Sequence, residues 1–241
     1  MTENIYSREP GGQGRWSFDY HAAMKRNVLI VALCVSLSLH AQQRPEWRDT
    51  FESRLEIQAL LQTLNGEILA GSSATRTLET WCDEHHMADD PKIVAIRMAG
   101  ARKEPSAEQL QRLGVRDASE VRYRRVELRC GAHVFSVADN WYVPERLTPE
   151  MNAQLDTTDT PFGKVVQPLH PYRRTVAATP LWTPLPRGWE QRRSRFHLHP
   201  ERTLAIPKDV FEHRAVLYTA DHLPFSEVVE TYQSEVLAFR R

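Results

Sequence analysis

The stretch "VRYRRVELRCG" (Val121–Gly131) is followed, one residue later, by "HVFSVADNWYVP" (His133–Pro144). In the first run, apolar and charged residues alternate, as in a strand buried on one face. Gly131-Ala132 between the two runs predicts an antiparallel hairpin. Alternation puts Tyr123, Arg125, Glu127 and Arg129 on one face and Arg124, Val126, Leu128 and Cys130 on the other. The first run holds more arginine than solvating an outer face requires, so at least one arginine is a candidate anion holder.

Composition sets bounds on partners. The 31 Lys+Arg are balanced by 31 Asp+Glu, which gives no reason to expect nucleic acid or an anionic membrane as a main partner. A hydrophobic fraction of 41% with 26% charged residues is that of a globular chain. From Met24, "MKRNVLIVALCVSLSLHAQQ" carries Lys25 and Arg26 ahead of the apolar run Val28–Leu39. This predicts a signal peptide over residues 24–41, too short for a permanent span, preceded by a polar, disordered extension over residues 1–23. Residues 42–241 are then expected as a single domain, periplasmic or secreted, monomeric and without a stable membrane span. Removal of the leader leaves two cysteines, Cys82 and Cys130, which permit one disulfide in an oxidising compartment or remain two buried thiols.

Helical spacing over "WRDTFESRLEIQALLQTLNGEILAG" places Phe51, Leu55, Ile57, Leu60, Leu61 and Leu64 on one side, with Asn65-Gly66 ending or interrupting the helix. Ser73 caps a second helix containing Leu78, Trp81 and Cys82. "KIVAIRMAG" reads as a strand, "KEPSAEQLQRLGVRDAS" as a short helix and loop, and Thr148 caps another short helix. Beyond the turn Thr160-Pro161-Phe162-Gly163, "RRTVAATPLW", "RSRFHLHPERTLAIPKDVF", "RAVLYTADHLPFSEVVETY" and "EVLAF" have strand character, the last hairpin turning at Ala220-Asp221-His222. Helices first and strands after predict an α+β fold, an antiparallel sheet with helices packed on one side.

The ordered set "SSATRTLE", "RVELRCG" before "YVP", "LDTTDTPFGKVV" and "RAVLYTADHLPFSEVVE" resembles the chorismate–pyruvate lyase family from about Leu60 to Tyr232. That fold is shared with ligand-sensing domains of transcription regulators. The resemblance implies cofactor-free elimination of pyruvate from chorismate to give 4-hydroxybenzoate. It implies Arg125 as the carboxylate-binding arginine, by ungapped distance to Pro144. It further implies Ser73 and Thr75 on the lid side, the Phe162 amide and Arg214 as substrate contacts, and Glu230 as the acid, with Glu227 as fallback. An arginine fork suits a carboxylate because it binds both oxygens and stays charged when desolvated. Two stretches depart from the family. Asp139-Asn140-Trp141-Tyr142 stands where the lyases have Gly-Arg, and the segment from Pro171 to Phe211 is longer than its counterpart and holds no family motif.

Arg125 reads either as a surface charge or as a group on a cavity wall opposite the core face. Glu230 shares a mixed face with Val228 and Tyr232, suited to a pocket wall where a carboxyl could be kept protonated. His85-His86 and His197/His199 lack a third ligand at a metal-site spacing, so no metal and no cofactor are expected. The expected partner is a small carboxylate, chorismate or 4-hydroxybenzoate-like. The chain is then a lyase or, in the alternative, a non-catalytic periplasmic protein that binds a small aromatic or cyclic carboxylate; a purely structural protein is a third reading.

Overall fold

A computed structural model describes residues 47–191 and 197–239, all within one of the chain's two compact units, residues 44–241. The leader over residues 24–41, the extension before it and Cys34 lie outside the described residues, as do residues 192–196.

The quoted hairpin is the middle of the sheet. Strand β3 (Arg122–Cys130) pairs antiparallel with β4 (His133–Tyr142), Cys130 facing His133 across Gly131-Ala132. Gly131 has φ +54, and a Cβ there would also meet the Ala88 side chain at 3.0 Å, so the turn needs glycine. With β2 (Ile93–Arg97), β5 (Tyr172–Pro180), β7 (Asp209–Tyr218) and β8 (Pro224–Gln233), the sheet runs β2-β3-β4-β8-β7-β5, antiparallel throughout. Strands β1 (Arg48–Asp49) and β6 (His199–Thr203) form a separate ribbon.

The predicted α+β class holds. Helices α1 (Phe51–Ala70) and α2 (Ala74–Glu84) pack on the face that carries Val126, Leu128, Ala138 and Val228. Helices α4 (Pro149–Thr157) and α5 (Phe162–Val165) build a second cluster on Tyr142 and Phe225 at one end. The short α3 (Ala107–Leu113) lays Leu113 on Trp141 and Val229, on the other face. It is fixed there by Glu227, fully buried, which accepts from Arg112 Nε at 2.7 Å and Nη2 at 3.0 Å. Cys82 of α2 and Cys130 of β3, both fully buried, form a disulfide with Cα atoms 6.4 Å apart. A loop of this length is worth about 4 kcal/mol in the chain-entropy account. Among the described residues no helix is long and apolar enough to cross a membrane.

Two predicted boundaries are corrected. Helix α1 does not end at Asn65-Gly66 but continues to Ala70, because Leu64 and Ile68 are both fully buried, and that burial outweighs the weak propensity of Asn and Gly. Asn65 is also recruited: its Oδ1 accepts from His213 Nε2 of β7 at 2.7 Å. "EVLAF" is not a strand; Ser234–Leu237 is a 3-10 turn that buries Val236 and Leu237 and gives the Val236 carbonyl to Trp81 Nε1.

Two outcomes follow from the α1–β7 contact. Gly66 sits in a helix interior, and a Cβ added there would meet nothing within 4 Å, so Gly66→Ala is expected to raise unfolding stability by about 0.5–1 kcal/mol in urea melts. His213 is fully buried with Nδ1 unpartnered, and burial, reinforced by the Arg173 charge, lowers its pKa from 6.5 to about 4. The folded state thus prefers neutral His213, and the unfolded chain takes up a proton first as pH falls. Stability is full above pH 6.5 and declines between 6.5 and about 4, by on the order of 3 kcal/mol. His213→Gln should flatten that limb; an unchanged slope contradicts the assignment.

Candidate functional site

The face under α2 carries the site. In register across the sheet lie Arg124, Asn140 and Val228, and beside them Val126, Ala138, Glu230 and His213. Above them is a cavity of about 290 Å³. Its floor is apolar at Val126, Leu128, Ala138 and Val228, and its opposite wall is the first turn of α2 with the start of α5. Exposed Arg76 and His170 stand on its solvent side.

Arg124 is the dominant charge. It is 6% exposed, and its Nε and Nη2 are buried with no hydrogen-bond partner. Burial lowers its pKa, and repulsion from Arg97 adds to that. Arg97 itself is tied to the end of α4, donating to the Leu155 carbonyl at 2.7 Å and to that of Asp156. Next to Arg124, Asn140 accepts from Ser226 Oγ through Oδ1 at 2.5 Å, leaving Nδ2 buried and unpartnered. The N-terminal turn of α2, capped by Ser73 Oγ accepting from the Arg76 N–H, adds the positive end of a helix dipole.

Glu230, 6% exposed, faces the cavity from β8. Its Oε2 lies 2.7 Å from Arg173 Nη1 and accepts from Tyr232 Oη at 3.1 Å. Burial pushes the fully buried Tyr232 hydroxyl well above its ordinary pKa, so it remains a donor. Burial works against the Arg173 charge, but the Glu230 carboxylate and the Tyr232 hydroxyl together outweigh it and raise its pKa.

Of the residues singled out in the sequence, Ser73, Thr75, Phe162 and Glu230 are brought together around this cavity. Ser73 and Thr75 approach Gly163 of α5 so closely that a Cβ there would lie 3.5 Å from Thr75 Oγ1 and 3.7 Å from Ser73 Oγ.

Arg125 and Arg214 are not in the cavity. Arg125 lies on the opposite face, where its Nη1 is 3.0 Å from Asp139 Oδ1, an oxygen that also accepts from Tyr123 Oη at 2.5 Å. The cavity arginine of β3 is its neighbour Arg124. Across this hairpin β4 has a bulge: Leu128 pairs with Ser136 but Arg129 with Val134, so Phe135 is an extra residue. Arg214 pairs with Val229 and shares its face, away from the cavity. The fallback Glu227 is taken by Arg112. A second bulge, at Phe225, lies between the Leu217–Ser226 and Tyr218–Pro224 pairs.

Sequence reasoning missed Arg124, Asn140 and Arg173. Arg124 carried a signal, because alternation put it on the face of Val126 and Leu128. Arg173 carried none, since it lies on an edge strand whose residues from Arg174 to Pro180 are all exposed. Among the described residues no group of three His, Cys, Asp or Glu side chains converges as a metal site would require.

No family model matches the chain. Solved structures that it resembles include PhnF from Mycobacterium smegmatis, at 12% identity and a TM-score of 0.44 over 87% of this chain and 97% of that one. Another is a GntR-family transcriptional regulator from Enterococcus faecalis, at 12% identity and a TM-score of 0.38 over 61% and 96%. These likenesses are too loose to assign a function. The sequence itself is 43% identical over 213 residues, 88% of this chain and 89% of the relative, to the uncharacterized protein y4mC of Sinorhizobium fredii. By that identity and coverage, the chain belongs to the same family as y4mC.

Proposed function

We propose that this chain binds a small carboxylated ligand of ring size in the cavity over β3, β4 and β8, with Arg124 as the carboxylate holder. The observation that carries the reading is Arg124, a buried guanidinium among the residues that line the cavity, whose Nε and Nη2 have no hydrogen-bond partner. Those two N–H groups lie on one side of the guanidinium and match the two oxygens of a carboxylate. A buried cation without a partner is strongly unfavourable, so the site is incomplete until an anion enters. The apolar floor suits a ring or short hydrocarbon body.

The resemblance to chorismate–pyruvate lyases supports the same cavity and the same kind of ligand. The elimination itself is less well supported. Glu230, the acid in that chemistry, already accepts from Arg173 and Tyr232. We therefore favour a binding role over catalysis. Export to the periplasm or beyond is part of the reading: it rests on Lys25-Arg26 before Val28–Leu39, and the Cys82–Cys130 bridge suits an oxidising compartment.

Calorimetric titration with 4-hydroxybenzoate tests the assignment. Saturable binding is expected, weakened about 10- to 100-fold by Arg124→Met, as for the loss of a charge-assisted pair, and little changed by Arg125→Met. Arg124→Met should also raise the melting temperature of the ligand-free protein, because it removes an unpaired buried charge. Undiminished affinity in Arg124→Met would refute the site. Release of pyruvate from chorismate would restore the lyase in place of the binding protein.

A further inference from the structure

The cavity holds a second cation, and what it implies rests on the reading above. Arg173 starts on edge strand β5, crosses β7 and meets Glu230 on β8 through Nη1. Its side chain is only 7% exposed. The contact with Glu230 leaves its Nε and Nη2 buried without partners, the same edge that Arg124 leaves unmatched. Neutralising Glu230 therefore accounts for one side of this guanidinium and not for the other. With Asn140 Nδ2, the unpartnered buried atoms of the residues that line the cavity are all donors, while the unpartnered acceptor nearby, His213 Nδ1, belongs to a residue outside that lining. The carboxylate among the lining residues, Glu230, is engaged through Oε2 by Arg173 and Tyr232.

These donors stand at two places. Strands β3, which bears Arg124, and β8, where the head of Arg173 rests, are two strand spacings apart, about 10 Å. Between them β4 offers the small Ala138 to the cavity floor. A single carboxylate can complete one guanidinium edge but not both. The geometry points to a ligand with anionic groups at opposite ends of a short apolar body, a dicarboxylate, with one group on Arg124 and the other on Arg173. Arg173 pairs with Glu230 Oε2 and so brings its own donors to that end of the cavity.

The test compares benzoate with terephthalate (benzene-1,4-dicarboxylate) by calorimetry on the full chain and on the double variant Arg173→Gln/Glu230→Gln. The double change removes both charges together, so no buried carboxylate is left stranded, and a thermal melt checks its fold. Terephthalate should bind the unaltered chain at least about tenfold more tightly than benzoate, the effect of one further bidentate ion pair. In the double variant that preference should vanish. Arg173→Lys, which keeps the charge but loses the fork, should reduce the preference and serves if the double variant does not fold. Equal binding of the two acids, or a preference that survives these changes, overturns the second subsite and leaves benzoate binding intact. Binding of neither acid overturns the proposed function itself.

Discussion

A guanidinium kept away from water with two N–H groups unmatched is unfavourable by several kcal/mol, and much of this fold serves to hold one there. Arg124 is on the inner face because β3 alternates strictly and its partners Val126, Leu128 and Cys130 belong to the core. The first turn of α2 and the start of α5 line the same cavity. Helix α2 is in turn tied to the far end of the same strand by Cys82–Cys130 and to the C-terminal turn by Trp81. Burial and the nearby Arg97 both oppose the Arg124 charge. What would relieve that opposition is an anion.

The polar groups around Arg124 divide by face. On the outer face, Arg125, Tyr123 and Lys103 surround Asp139, and Arg112 grips Glu227; these charges are matched within the protein. On the inner face, matching is incomplete, at Arg124, Asn140 and Arg173 and also at Ser136 and His213. Complete satisfaction on one side and a deficit on the other is the pattern of a structural face and a binding face of a single sheet. His213 lies on the inner face next to Glu230, neutral and hydrogen-bonded to α1, so the floor of the cavity is continuous with the buried core.

The sheet was largely legible from the sequence. Alternation in Arg122–Cys130, the glycine at Gly131 and the turn at Ala220-Asp221-His222 follow from local rules of strand and turn chemistry, and they gave the hairpins and the class. The site was legible only in part. Ser73, Thr75, Phe162 and Glu230 line one cavity, and each is positioned by a local feature: a cap, a helix start or an alternating strand. Arg125 lies on the outer face beside Asp139, whereas Arg124 lines the cavity. Alternation within β3 put Arg124 on the face of Val126 and Leu128, but the resemblance pointed to Arg125. Arg173 was out of reach for a different reason. It acts two strands away from its own backbone, and sequence order says nothing about which strand borders the edge.

The central claim is that Arg124, not Arg125, receives the ligand's carboxylate. The most direct measurement follows the side-chain Nε–H resonances of both arginines by heteronuclear NMR as benzoate is added. The Arg124 Nε–H signal should move downfield and become protected from exchange with water, while that of Arg125, held at Asp139, stays in place. A shift at Arg125 with Arg124 unmoved would contradict the account.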